Sequence, residues 1–315
     1  MFEIPNNEVP AIRIAKAVGG HYEKNLLVIV GGGLGDRACA EPTLRYIQHK
    51  FTGCDMSLFC DTPSLFRHIH FKQVYTRTEE VPSDKHLPIY TYMQGSLGNQ
   101  FINPNLMHSV DFASVSAFRG QLPINFKQIV MTPSPPKNKD IVNMNAAPRY
   151  TMVHMGKSWP SRTLPVEWYN SIVWELKKAG KIAVLVGENC VDFKDESHIC
   201  IDLRGKLSLN DYVWLCKQID SIITNDSSPV HFGAAGEAKV AYVPTCRSPD
   251  LLTHWRKGQW GWRQRAFFKN KMWEMFPITP NGLGEDKISE LPPVTEMSAF
   301  LPPAEEVVRW TTQCP

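Results

Sequence analysis

Three short runs hold the residues whose types and spacing suit chemistry. In Asn225-Asp226-Ser227-Ser228-Pro229-Val230-His231, a carboxylate and two hydroxyls are followed one turn along by an imidazole. Pro229 stands where a first-turn proline is favoured. The N–H groups of a first helical turn lack intrahelical partners, and with the helix dipole they form an anion site suited to a diphosphate. The same spacing fits equally well a capped helix in which Asp226 and Ser227 satisfy backbone donors. In Gly156-Lys157-Ser158-Trp159-Pro160-Ser161-Arg162, Lys157 and Arg162 suit phosphate oxygens and Ser158 adds a donor. Alone, that run reads better as a solvated basic loop. In Gly31-Gly32-Gly33-Leu34-Gly35-Asp36, the glycines let a substrate approach the backbone and Asp36 is presented to it. Asp36 is placed for a general base, although spacing alone favours a helix cap. A dinucleotide fingerprint requires glycine where Asp36 stands, and a carboxylate there would repel pyrophosphate. An NAD-dependent oxidoreductase is disfavoured for that reason.

The elements that must position these runs follow from apolar patterning. Asn25 to Val30 is a β-branched run ending at glycines, a buried strand feeding a tight turn. Asp36 to Lys50 is predicted helical, Met56 to Cys60 and Gln73 to Thr76 as strands, and Leu65 to Ile69 as a short helix. Tyr90 to Asn125 has no clean period and is left unassigned. Thr132 to Pro148, rich in proline, asparagine and lysine, reads as an interdomain linker. Beyond it, strands are predicted at Tyr150 to His154, Ile182 to Val186, Ile219 to Thr224 and Lys239 to Val243. The intervening helices are Pro165 to Gly180, one capped by Ser208 with Leu209, Tyr212, Val213 and Cys216 inward, and Ser228 to Gly236. Strands alternating with helices predict parallel sheets covered on both faces. The expected architecture is α/β, two Rossmann-like domains facing a cleft. The expected boundaries are 1–140 for the first domain and 141–290 for the second, with 291–315 packing back on the first. In such sheets ligands bind outside the carboxyl ends of the strands. That rule selects the three runs above and the loop Gly187 to Cys190.

Composition restricts the classes. The chain has 315 residues, 43% of them hydrophobic and 21% charged, an ordinary globular balance. No apolar run approaches the ~18 residues of a spanning helix, and the N-terminus lacks the basic start and apolar core of a secretory signal. A cytoplasmic location is expected. The eight cysteines are scattered without a C-x-x-C pair, so reduced, partly buried thiols are expected. The pair His68 and His70 lacks a cysteine or carboxylate at helical spacing, so no metal site is assigned. Net charge of +3 does not by itself announce a nucleic-acid binder. Its distribution is more telling: Trp255, Arg256, Lys257, Trp260, Trp262, Arg263, Arg265 and Lys269 interleave cations with aromatic rings.

Three blocks in order resemble glycosyltransferase family 9, typified by the ADP-heptose:lipopolysaccharide heptosyltransferases. They are GGGLGDRACAEPTLRYI, GKSWPSRTLPVEWYNSI and DLRGKLSLNDYVWLCKQIDSIITNDSSPVHFGAAG, the last closing on the family's D-S/T-G/S-x-x-H signature. The resemblance implies a GT-B fold with acceptor on the N-terminal domain and nucleotide-sugar on the C-terminal one. It also implies inverting, metal-independent transfer without a cofactor. Asp36 would then take the proton from the acceptor hydroxyl, and Lys157 would neutralise the leaving diphosphate. Gly33, Gly35, Ser158, Arg162, Gly187, Glu188, Asp226, Ser227, Ser228 and His231 complete the expected donor-binding set.

The chain departs from the family after its last strand, where Val243-Pro244-Thr245-Cys246-Arg247-Ser248-Pro249 leads into the basic aromatic stretch. Two acceptors stand close to even. One is a lipopolysaccharide-type glycan. The other is hydroxymethylated duplex DNA, as for phage-type members, since extruding a base calls for aromatic platforms and phosphate-binding cations. The same stretch also reads as a helix and loop with tryptophans packed inward and cations exposed. A catalytically silent sugar-nucleotide-binding module on the same scaffold is the remaining alternative.

Overall fold

The computed structural model describes residues 25–81, 87–91, 107–118, 120–142, 144, 150–156, 162–188, 190–194, 200–236, 238–245, 247–275 and 298–313. The chain divides into two compact units, Met1–Thr132 and Pro133–Pro315.

The first unit carries strands β1 (Asn25–Ile29), β2 (Asp55–Phe59), β3 (Val74–Tyr75) and β4 (Leu87–Tyr90), with helices α1 (Leu34–Lys50) and α2 (Ser109–Phe118). All strand pairs are parallel, in the order β3-β2-β1-β4. Leu26, Leu27 and Val28 of β1 are all buried, the continuous apolar run expected of a strand covered on both faces. The chain leaves β1 towards β2 and β3, then reverses to place β4 on the other side of β1. The carboxyl ends of β1 and β4 therefore flank the point where connections diverge. Thr91 ties them together, its N–H and hydroxyl both donating to the Ile29 carbonyl at 3.0 and 3.2 Å.

Helix α1 is pinned through a carboxylate that is wholly enclosed. Glu41 is 0% exposed and lies 2.8 Å from Arg45 Nε, 3.0 Å from His68 Nε2 and 2.8 Å from the Val130 N–H. A charge taken out of water is tolerated only when so surrounded. Arg45 then donates to the Phe126 and Gln128 carbonyls at 3.1 and 2.6 Å. His68 thus finds a carboxylate 27 residues away, beyond any spacing rule along its own segment.

The second unit holds β5 (Tyr150–His154), α3 (Val166–Lys178), β6 (Ile182–Val186), β7 (Ile201–Asp202), α4 (Leu209–Gln218), β8 (Ser221–Asn225), α5 (Ser228–Ala234) and β9 (Lys239–Val243). A short antiparallel hairpin, β10 (Trp255–Arg256) and β11 (Gln259–Trp260), precedes the edge strand β12 (Gln264–Ala266), and α6 (Ala304–Thr312) closes the unit. The main sheet is parallel throughout, in the order β12-β9-β8-β5-β6-β7. Helix α3 buries Trp168, Tyr169, Ile172, Val173 and Leu176 on one face. Each such aliphatic side chain contributes roughly 1.5–3 kcal/mol. Ser208 caps α4 as expected, its Oγ accepting the Asp211 N–H at 3.2 Å, while Asp211 and Leu215 join Val213 and Cys216 among its buried residues.

Three expectations change. The division falls after Thr132 rather than at 140, because the proline-rich segment is strapped to α4: Ser134 N–H donates to Asn210 Oδ1 and Lys137 N–H to Asp211 Oδ1, both at 2.9 Å. Helix α6, expected on the first domain, packs on α3 and shares the second unit's core through Val307 and Val308. The basic aromatic stretch is a hairpin and an edge strand rather than a helix and loop. Its two-residue turn, Lys257-Gly258, has φ of 46° and 82°, the primed geometry that matches strand twist. Among the described residues, no helix is long and apolar enough to cross a membrane.

Candidate functional site

In the second unit the chain runs from β5 outward to β6 and β7, then crosses back to β8 on the other side of β5. The carboxyl ends of β5 and β8 are therefore the switch point of the sheet, where such folds receive ligands. Two of the predicted runs meet there. Asn225, the last residue of β8, is 1% exposed, and its Nδ2 donates to the Gly156 carbonyl at 3.3 Å and to the Arg162 carbonyl. One buried amide so holds both ends of the loop after β5. Lys157 and Ser158, expected in that loop, lie outside the described residues.

Arg162 faces Asp226 across the switch point, Nε to Oδ2 at 3.8 Å, with Asp226 only 2% exposed. Asp226 Oδ2 has no hydrogen-bond partner among the described residues, and neither does Thr245 Oγ1, buried beyond the end of the adjacent β9. Buried polar atoms left in that state usually have a water or ligand to complete them. Ser227 occupies the N-cap of α5 in extended conformation, φ −148° and ψ 178°, yet its hydroxyl caps nothing. A capped helix therefore does not account for Ser227. Ser228 meets the Tyr212 hydroxyl at 3.1 Å, and Tyr212 in turn stacks edge-on to Phe232. Burial pushes the Tyr212 phenol well up, so it stays a neutral hydrogen-bonding group.

Below this edge sits His154, the last residue of β5. Burial drives its pKa down to about 4, partly offset by a hydrogen bond to Asn225. Its ring is the reason residue 156 is glycine: a Cβ there would come within 2.7 Å of His154 Cε1. The β6 loop continues the edge. Gly187, at φ 135°, passes close to Gly156 N, and Glu188 is exposed beside it. His231, on α5, is buried, with Nδ1 2.6 Å from Nε2 of His254.

In the first unit, Gly31 to Asp36 occupies the matching position after β1, at that sheet's own switch point. Asp36 Oδ2 accepts the Gly33 N–H at 2.9 Å, closing the turn over the start of α1. Gly32 is required there: it has φ 82°, and a Cβ would lie 2.8 Å from Asp36 Oδ2. Asp36 is half-buried, Gly33 exposed and Gly35 half-buried. Next to it, Arg37 reaches Asp61 at 2.6 Å and Thr62 Oγ1 at 3.0 Å, joining the ends of α1 and β2.

The basic aromatic residues separate into different environments. Arg256 is 1% exposed and donates to the Ala238 carbonyl at 2.9 Å, so it is a structural cation and not a surface one. Trp255 stacks edge-on against Trp260, with centroids 5.4 Å apart. Arg263 lies over the Trp262 ring, while Arg265 lies over Phe267 and within 3.7 Å of Glu306. Lys257, Lys269 and the Trp260 ring are exposed. The composition of a continuous platform is present, but one of its arginines, Arg256, is enclosed.

Asn225, Tyr212, His154 and His254 belong to the site neighbourhood without having been singled out as site residues from sequence. Asn225 had a signal, its place directly after an apolar strand. His154 had the same one, at the end of its predicted strand, whereas Tyr212 and His254 had none, because their roles depend on strands and loops far apart in the chain.

No protein-family model and no curated protein matches the chain. Solved structures do. A family 9 glycosyltransferase from Veillonella parvula aligns at TM-score 0.58 and 12% identity, covering 92% of this chain and 99% of that one. E. coli ADP-heptose LPS heptosyltransferase II aligns at TM-score 0.56 and 14% identity, covering 85% and 97%. TibC, described as an iron-containing dodecameric glycosyltransferase of enterotoxigenic E. coli, aligns at TM-score 0.56 and 15% identity over 78% of this chain. This chain spans 62% of TibC's length. What it shares with these proteins is the fold: α/β units on parallel sheets, as in the GT-B heptosyltransferases.

Proposed function

We propose that the chain is a nucleotide-sugar-dependent glycosyltransferase. The donor diphosphate is bound in the second unit, where β5 and β8 diverge, by Arg162, Ser227, Ser228 and His231. The observation that carries this reading is the meeting of the Arg162 and Asp226 runs at a sheet switch point, with Ser227 uncommitted to capping. A departing nucleoside diphosphate gains negative charge as the glycosidic bond breaks, and fixed donors stabilise it. Arg162 and the first-turn N–H groups supply such donors, and Lys157 is assigned the same task. Asp36 takes the proton from the acceptor hydroxyl as that oxygen attacks the anomeric carbon, which inverts its configuration. The positive charge comes from side chains, and the reading needs no metal.

The acceptor we favour is a glycan hydroxyl of lipopolysaccharide type. The rival, hydroxymethylated DNA, drew on the cation and ring series from Trp255 to Lys269. It is weakened by the enclosure of Arg256 and the proximity of Arg265 to Glu306. Intact-mass measurement decides: a lipid-core acceptor and hydroxymethylated duplex are each incubated with a panel of nucleotide-sugars headed by ADP-heptose. A mass gain of one sugar on the glycan is expected. A gain on DNA alone reverses the acceptor, and no gain on either with retained nucleotide binding favours the silent module.

A further inference from the structure

His231 is held by a closed circuit that reaches it from the hairpin side of the unit. Its Nδ1 lies 2.6 Å from His254 Nε2, a distance at which one nitrogen must donate to the other. His254 immediately precedes β10 and is fully buried. Its backbone N–H donates to Gln264 Oε1 at 2.7 Å, and Gln264 Nε2 donates to the Val230 carbonyl at 2.9 Å. Val230 is the residue before His231. The circuit thus runs from the backbone of α5, through the first residue of β12, to His254 and back to the α5 imidazole. Both side chains of the clamp are buried, Gln264 to 7% exposure, so neither swings at low cost.

We infer that His254 and Gln264 are positioning residues for His231, holding its imidazole so that Nε2–H is the nitrogen offered to a donor phosphate oxygen. The inference rests on the donor-site reading above. The contact accommodates donation in either direction, and a phosphate at the other nitrogen of His231 selects one of them. When His254 Nε2–H donates, His231 Nδ1 accepts and the His231 proton sits on Nε2, a donor matched to an anion. The opposite arrangement would present a lone pair to phosphate and repel it. A partner on one ring nitrogen commonly sets the tautomer and angle of the other in this way, as in the outer shell of metal-bound histidines. The departure of this chain from the family pattern after β9 thereby acquires a purpose. The hairpin and edge strand bring His254 and Gln264 behind α5.

The test is calorimetric titration of ADP, UDP, GDP, CDP and dTDP into the full-length protein, followed by variants against the tightest of them. His231→Ala and His254→Ala are each expected to weaken that nucleotide by about 5- to 30-fold, the loss of one well-placed hydrogen bond. The double variant is expected to be no weaker than either single, because His254 acts only through His231. His254→Gln, whose amide keeps a donor nearby, is expected to restore most of the affinity. A purely structural residue would lower the melting temperature and add its loss to that of His231→Ala. Additive losses, or wild-type affinity in His254→Ala, overturn the clamp while leaving the donor site standing. Absence of binding by the wild-type protein to all five nucleotides overturns the donor site and the clamp together.

Discussion

Replacing Asp36 by asparagine separates the observed turn-closing contact of its carboxylate from the proton transfer proposed for it. Structurally, Oδ2 accepts the Gly33 N–H at 2.9 Å, and the Gly32 backbone at φ 82° is wrapped against it. Asparagine keeps a carbonyl oxygen in that place, so the turn survives, with a cost below roughly 0.5 kcal/mol. For a chain of this size that is a melting shift of about 2 °C or less. Alanine removes the acceptor, and losing such a cap costs about 0.5–2 kcal/mol, or about 2–6 °C. Chemically, asparagine cannot take a proton. If Asp36 is the base, turnover in Asp36→Asn falls by about 10²- to 10⁴-fold while donor affinity stays within about twofold. The assay pairs thermal melts of wild type, Asp36→Asn and Asp36→Ala with nucleoside-diphosphate release at saturating donor. Wild-type turnover in Asp36→Asn refutes the base assignment. Wild-type melting of Asp36→Ala refutes the cap.

Other outcomes follow from the second unit. His154 has its folded pKa depressed to about 4 against an ordinary value of 6.5, so between these values the unfolded chain binds the extra proton. Its contribution is complete above about pH 6.5 and drains away towards pH 4, on the order of 3 kcal/mol in all. Urea unfolding at a series of pH values should show a shallower acid loss in His154→Leu than in wild type, and parallel curves contradict the assignment. Gly156→Ala drives a methyl to within 2.7 Å of a buried ring, and should cost about 1–3 kcal/mol in denaturant melts. Lys257 holds φ 46° in a turn that favours asparagine or glycine, so Lys257→Asn should raise stability by about 0.5–1 kcal/mol with donor affinity unchanged.

What could be read in the amino-acid sequence was local in origin. Strands β5, β6 and β9 carry the bounds predicted for them, because each is an apolar run closed by polar or glycine residues. The loops at their carboxyl ends were legible for the same reason. Helix α2 was not. Its buried Val110, Ala113, Ser114 and Ala117 share one face, but the half-buried Phe112, Val115 and Phe118 carry apolar side chains round the rest of the axis, so no apolar stripe stands out at a 3.6-residue period. The hairpin was missed because its turn needs positive φ at Lys257 as well as at Gly258, and lysine gives no such signal.

The pairing of His231 with His254 lies beyond any local pattern, and that bears on how the site should be tested. The two residues are 23 apart and meet only because β12 joins the sheet beside β9, which carries the intervening segment behind α5. Similarly, the Arg162 and Asp226 runs meet only because the chain reverses direction across β5. Substitutions within a single run probe chemistry that spacing already suggested. Substitutions at Asn225, Gln264 and His254 probe whether topology brings the runs together. Losses of donor affinity at these three, without matching losses of stability, would mean that the donor site is made by the sheet order and not by any one loop.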